Sequence, residues 1–339
     1  MAVRAAMPTS AVAAGGDGAG GYGTVVDGGG LSYINNSSIA GGVGGAGGTG
    51  VSGGSVGGNG GAGGIGVQFT TGGTLRNLGT ITGGNGGARG IGTFLASDGT
   101  AGLGGVGVSG ADLIVVNSGT ITGGLHGLGS GSPQADAITF TGGTNRLELR
   151  AGYIINGNVT AFSTADTLRL GGGTDSTFDV SQIGGTQQYR GFGVFEKTGT
   201  SAWTLLNTTT ELTPWTIRNG ALAISQNAAL GSDAGAVTLD GGTLQFLAGF
   251  NLSHNVTVGA IGGALDPNGN DVTMSGTITG VGTLGIGLNG GTLTLTSTGN
   301  AIDGDLMIST CGCTPGGPAS AAPPWSMPVR SPSSTGARC

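Results

Sequence analysis

"NLGTITGGNGG", Asn77 to Gly87, contains nothing reactive, yet it returns as "NSGTITGG" from Asn117 to Gly124 and as "MSGTITG" from Met274 to Gly280. A catalytic motif stands once in a chain, where the fold presents it, whereas a phrase rewritten at intervals marks a unit that stacks on copies of itself. Four segments align around the phrase: "LSYINNSSIAGG", "TLRNLGTITGG", "LIVVNSGTITGG" and, more loosely, "LELRAGYIINGN". The central isoleucines of the first three, Ile39, Ile81 and Ile121, recur at nearly equal intervals of about forty positions. Each copy reads as a short apolar strand, a turn at Asn or Gly, a second short strand such as "TIT", and a glycine corner. A period of about forty then suggests two solenoid coils of about twenty residues each.

Composition supports strands and turns over helices. The chain has 339 residues, of which 81 are glycine and 8% are charged. Its one lysine (Lys197) and three glutamates (Glu148, Glu196, Glu211) leave little of the vocabulary of exposed helices, while Thr, Val, Ile and Asn abound. The glycines do not follow a strict every-third-residue rule and proline is scarce through most of the chain, which argues against a collagen triple helix. A formal charge of -6 with scattered arginines offers no basic stripe for phosphates, so nucleic acid is not an expected partner. No apolar run reaches the roughly 18 to 20 residues of a membrane-spanning helix, and this fragment is not expected to insert into a membrane. All three cysteines (Cys311, Cys313, Cys339) fall near the carboxy terminus, so the body is no disulfide scaffold.

Four regions follow. Residues 1–14 read as a disordered leader or mis-called start without an intact signal peptide, residues 15–139 as glycine-rich solenoid coils, residues 140–309 as strand-repeat coils, and residues 310–339 as a disordered tail. In the second region, connectors such as "VGGAGGTGVSGGSVGGNGGAGGIGV" punctuate glycine with single Val or Ile residues. In the third, "GGTNRLEL", "GGTDSTFDV", "DGGTLQF" and "GGTLTLT" each place a glycine corner before alternating Thr or Leu and apolar positions. Hairpins use the same signals, so an antiparallel sandwich is the rival fold. The expected fold is all-β, a right-handed parallel β-helix of about fifteen coils and about 70 Å, with Val, Ile, Leu and Phe inward and Thr, Ser, Asn and Asp outward.

Three stretches carry a family resemblance: Val194 to Ile224, Ala229 to Phe246 and Leu252 to Ile308. They resemble the passenger-associated strand repeat of bacterial autotransporters. Lys197 and Gly199 match its opening, Trp203 and Leu205 its strand, and Asn219-Gly220-Ala221-Leu222 its closing corner, with Asn300 in a later Asn place. The resemblance implies a passenger fragment of a secreted, cell-surface or outer-membrane protein whose full-length parent carries a signal peptide and a translocator barrel. Such passengers act as adhesins, cytotoxins or surface-displayed enzymes, and long faces of Thr, Ser and Asn, which can hydrogen-bond polysaccharide or present strands to a protein, make adhesin-like binding to a protein or glycan of a host or neighbouring cell the leading expectation. The alternatives are a spacer rod holding a functional domain away from the cell, and a truncated gene product without function.

The chemistry-bearing residues are few, and no enzyme, cofactor or metal is expected. His126 and His254 stand too far apart for a local metal motif and read as solvent-facing turn residues. No Gly-x-Ser-x-Gly elbow accompanies His254. "GLGGVG", Gly102 to Gly107, satisfies a dinucleotide pattern by chance in so glycine-rich a chain, with no helix after it. "DPNGND", Asp266 to Asp271, opens like a calcium loop but puts Asp271 at the glycine position and Thr277 at the glutamate position, so it reads as a turn. The candidate exposed aromatics are Tyr22, Tyr33, Tyr153 and Tyr189. The irregular stretch Gln187 to Pro214 is the best insertion on which a binding loop could lie, since binding concentrates on loops. The binding residues themselves are not identified. Six of the ten prolines follow Cys311 directly after "GNAIDGDLMI", which points to a shifted reading frame near Ser309 to Cys311.

Overall fold

A computed structural model of the chain describes residues 18–310 apart from Ser52, Gly129, Ser130, Asn289 and Gly290. The expected leader (1–14) and the tail from Cys311 onward lie outside the described residues. Three short strands make one coil: Thr24–Val26, Leu31–Asn35 and Ser38–Ala40 are followed by Val67–Phe69, Gly73–Asn77 and Thr80–Thr82. Each strand pairs in parallel with its counterpart one coil away, as in Leu31↔Gly73 and Ile39↔Ile81. The longest sheet counts eleven strands, the named strands pair only in parallel, and the chain is an all-β parallel β-helix. The antiparallel sandwich is excluded by that pairing.

The repeated phrases set the stack. Ile39, Ile81, Ile121 and Ile155 are register partners in one inward column, and Ile81 and Ile121 are fully buried. Burying each such side chain contributes about 1.5–3 kcal/mol. Beside them Asn35, Asn77 and Asn117 form a buried ladder, Nδ2 to Oδ1, with both steps at 2.8 Å. Asn77 Nδ2 also donates to the Thr120 carbonyl at 3.1 Å, so the ladder ties a strand to the corner after it. In the next coil the register partner of Asn117 is Leu149, and Asn117 Nδ2 is left buried without a partner.

The coil count differs from the expectation, and the glycines explain why. Eleven coils at roughly 4.8 Å span about 48 Å, because each long repeat contains one coil and an excursion. Residues 41–66 leave the corner after Ser38–Ala40 and return to it as a two-legged arm; residues 83–107 and 123–137 do the same one and two coils further on. Along both legs of the first arm the order is a strict triplet of two glycines and one other residue, as in Gly41-Gly42-Val43-Gly44-Gly45-Ala46; the second arm keeps it except at Arg89 and Ala101, and the return leg of the third, Pro133 to Ala137, departs from it. The first glycine of each triplet donates to the next arm: Gly41, Gly44, Gly47 and Gly50 bond the Thr82, Asn85, Ala88 and Ile91 carbonyls at 2.7–2.9 Å. The second joins the two legs, with Gly58, Gly61 and Gly64 donating to Gly48, Gly45 and Gly42 at 2.8 Å. A three-residue repeat bonded only to its neighbours is the polyproline II conformation. Two layers of such legs meet so closely that a Cβ on Gly87 would lie 1.8 Å from the Gly45 carbonyl oxygen.

The third residue of the triplet enters no core: it is exposed at most positions and half-buried at Val56, Ile65 and Val106. Val43, Ile91 and Leu103 are 66%, 52% and 62% exposed, which corrects the inward placement expected for single Val and Ile residues in the connectors. Beyond the arms the coils shorten to about half the long period, as in Thr216↔Thr238, Val237↔Val256 and Val256↔Ile278. Their core takes over the burial with Trp203, Trp215, Phe195 and Phe246, each less than 2% exposed.

Charge is scarce but concentrated. On the outward face of the long sheet, Glu148, Arg169 and Glu196 are successive register partners. Arg150 pairs with Glu148 at 2.7 Å, Arg169 with Glu196, and Arg218 bridges Glu196 (3.1 Å) and Asp240 (2.8 Å). Burial raises the Glu196 carboxyl pKa, but Arg169 and Arg218 more than offset it, so the group sits below the ordinary glutamate value. Lys197 is fully buried, and its ammonium donates to the carbonyls of Thr198 (2.7 Å), Gly199 (3.0 Å) and Asn219 (3.1 Å). Burial pulls its pKa down to about 8. This lysine closes two successive glycine corners from within, at Gly199 and Gly220, both with left-handed φ (70° and 64°).

Candidate functional site

A groove of about 240 Å³ lies between two loops on neighbouring coils, Ser181–Gln187 and Thr208–Glu211. The first loop begins with a 3-10 turn, Val180–Gln182, capped by Asp179, whose Oδ1 accepts from the backbone N–H and hydroxyl of Ser181 at 2.9 and 2.6 Å. Burial raises the Asp179 pKa, and hydrogen bonds from Ser181, Asn207 and Gln182 more than offset this, so the cap stays ionised below the ordinary aspartate range. Backbone bonds close the loop, Gln187 N–H to the Gly184 carbonyl (3.1 Å) and Gly184 N–H to that of Tyr189 (3.0 Å). Tyr189 anchors it from below, 3% exposed and 5.2 Å from the Phe178 ring.

The second loop leaves its strand at Asn207, which has φ 62°. It is pinned by Thr209 N–H to the Ala228 carbonyl (3.1 Å), Thr213 Oγ1 to the Leu230 carbonyl (2.6 Å) and Ser232 N–H to the Glu211 carbonyl (2.9 Å). The Glu211 carboxylate lies across Gly184, where a Cβ would stand 3.1 Å from Oε1. Hydroxyls of Ser181, Thr186, Thr208, Thr209 and Thr210, the Gln187 amide and one carboxylate thus line a groove whose walls are held by buried aromatics. Such a surface offers alternating donors and acceptors and no paired acid and base. It can hold a hydroxyl-bearing ligand by hydrogen bonding.

The other candidates separate. Of the insertion expected over Gln187 to Pro214 only Gln187 and Thr208 to Glu211 line the groove, most of the stretch being coil strands such as Val194–Lys197 and Ala202–Leu206, and the opposing wall, Ser181 to Thr186, precedes it; the Asp179-x-Ser181 cap is the signal that could have marked that wall. His254 is fully buried rather than facing solvent: its Nδ1 lies 3.0 Å from Asn227 Oδ1 and 3.4 Å from Asp233 Oδ1, and its Nε2 is buried without a partner. Burial lowers its pKa in spite of Asp233 and the Ser232, Gly231 and Leu230 carbonyls. Ser253 Oγ donates to Asp233 at 2.7 Å rather than to the imidazole, so these residues form no nucleophile and base pair. His126 is half-exposed on the third arm. Gly102 to Gly107 is the returning leg of the second arm. Asp266 to Asp271 forms a turn with Asn268 and Gly269 at φ 52° and 81°, and Asn270 Nδ2 donates to the Phe246, Pro267 and Asn268 carbonyls. Of the tyrosines Tyr22 is exposed, Tyr33 and Tyr153 pack partly against the core, and Tyr189 is buried, contrary to expectation.

No helix of the described residues is long and apolar enough to cross a membrane. No family model matches the chain, and no solved structure matches it. The chain is similar to the Adhesin BmaC autotransporter of Brucella suis biovar 1 (strain 1330), with 29% identity over 168 residues, which is 47% of this chain and 5% of that protein. It therefore spans only a small part of the relative it resembles.

Proposed function

We propose that this chain is a passenger segment of an autotransporter-type surface or secreted protein, that it is non-enzymatic, and that it acts as an adhesin. Its contact with a glycan or a protein of a host or neighbouring cell is made at the groove between Ser181–Gln187 and Thr208–Glu211. The observation that carries the reading is this groove: its two loops stand on the stacked coils, and its polar lining is hydroxyl, amide and a single carboxylate. The likeness to an adhesin of the autotransporter class supports the same reading.

The test is a binding screen of the purified chain against immobilised glycans and matrix proteins, with Glu211→Gln and Thr209→Val beside the native chain. Losing one charge-assisted hydrogen bond weakens binding by about tenfold or more. Retention by both variants of native affinity for every captured ligand would remove the groove from the reading. A second reading, the spacer rod, is favoured by the coils from Trp215 to Ile302, which repeat at the short period without a projecting arm. Absence of any ligand in the screen supports the spacer.

A further inference from the structure

The tips of the first two arms carry apolar side chains in water. Val51, Phe94 and Leu95 are 95%, 82% and 100% exposed. The second tip is a tight turn closed by Ala96 N–H to the Thr93 carbonyl at 3.2 Å, and its two central residues are Phe94 (φ 44°) and Leu95 (φ 63°). Two consecutive left-handed positions are the requirement of a type I′ turn, where Asn-Gly fits and bulky apolar residues are strained. Nothing in the packing calls for Phe-Leu there, because neither side chain is covered. The tips lie side by side, with Thr93 N–H bonded to the Ser55 carbonyl at 3.0 Å. Each leg extends roughly 3.1 Å per residue away from the coil corner, so ten residues carry the tip about 30 Å outward.

We infer that the paired tips are a wedge that inserts Phe94, Leu95 and Val51 into the interfacial layer of a lipid bilayer. A stable protein interface needs roughly 800 Å² per partner with a matching surface, and three side chains on two turns supply far less. A bilayer asks for no shape match and takes apolar groups about 5–10 Å deep into the headgroup boundary. The charges nearest the wedge, Arg89 and Asp98, are paired at 3.3 Å, and Asp98 Oδ1 also accepts from Gly92 N–H. The tip thus has no net charge and fits zwitterionic lipid without an anionic surface. Run length, which excludes a spanning helix, has no bearing on an interfacial wedge. Groove and wedge are separate sites on separate coils.

The experiment is co-flotation of the full chain with phosphatidylcholine vesicles, and with vesicles that add phosphatidylserine, at low and high salt, with Phe94→Asn/Leu95→Gly as the variant. That pair suits the turn better than the native residues, so the arm keeps its fold, which circular dichroism and arm proteolysis check. The expected result is flotation of the native chain, at least a tenfold fall in vesicle partition for the variant, and less than twofold change with salt. Native chain that fails to float, a variant that floats equally, or flotation only with anionic lipid overturns the wedge. So does loss of native self-association in the variant with no vesicle binding by either, which assigns the tips to a second copy of the chain.

Discussion

Substituting Gly87 by alanine tests whether the arms are built as described. The new Cβ would stand 1.8 Å from the Gly45 carbonyl oxygen and 2.5 Å from its carbon. Relief to ordinary contact requires the neighbouring leg to move by about 1.5 Å in a close-packed layer. Such a shift breaks the bonds from Gly61 N–H to the Gly45 carbonyl (2.8 Å) and from Gly44 N–H to the Asn85 carbonyl (2.8 Å). Each break leaves a buried backbone group unsatisfied at about 1–3 kcal/mol, while alanine recovers about 0.4–1 kcal/mol from the unfolded chain. The net destabilisation is about 3 kcal/mol, confined to the arms. Native-state hydrogen exchange reads it directly: arm amides lose about two orders of magnitude of protection while the amides of Leu222, Leu244 and Leu265 keep theirs. Gly29→Ala is the control, since a Cβ there meets nothing within 4 Å. Arm amides that exchange as slowly in Gly87→Ala as in the native chain would refute the close-packed legs.

Two further outcomes follow from buried ionisable groups. Lys197→Met keeps the apolar stem but leaves three carbonyls without their donor, a loss of about 1–3 kcal/mol in a thermal or denaturant melt. Because the folded amine titrates at about 8 and the unfolded one at 10.5, the unfolded chain binds more protons between these values, so native stability rises through that window; the rise is absent from the variant's melts. His254 is held neutral by burial, and its folded pKa lies below the ordinary 6.5. Its contribution to stability is flat above about pH 6.5 and falls as acid protonates the unfolded chain first. A His254→Gln melt series that keeps the native slope between about pH 6.5 and 5.5 would dismiss this assignment.

The stacking was legible because a repeated phrase with an apolar centre aligns itself: Ile39, Ile81 and Ile121 match by spacing and are register partners. The arms were not legible, because glycine counted over the whole chain has no triplet rule while the legs of the first arm have a strict one and those of the second nearly so. Spacing alone divides the long period evenly, and only the backbone approach at positions such as Gly87 shows that half of it leaves the coil. The groove was half visible: Gln187 and Thr208 to Glu211 fall in the stretch read as irregular, although its strands Val194–Lys197 and Ala202–Leu206 keep the coil register, whereas Ser181 to Thr186 precedes that stretch and gains its role from the neighbouring loop. Burial of His254 and Tyr189 had no local signal, since one coil decides what covers a residue of the next.

The alternation of Glu148, Arg169 and Glu196 makes these coils non-interchangeable. Repeat proteins grow when a gene segment is copied in tandem. A single extra coil inserted here would set glutamate upon glutamate or arginine upon arginine at about 4.8 Å, in a half-buried column where like charges repel strongly. A pair of coils copied together would keep the order of signs. The threonine column that follows, Thr216, Thr238, Thr257 and Thr279, imposes no such parity, so the carboxy-terminal coils can lengthen one at a time while the charged centre changes only by twos.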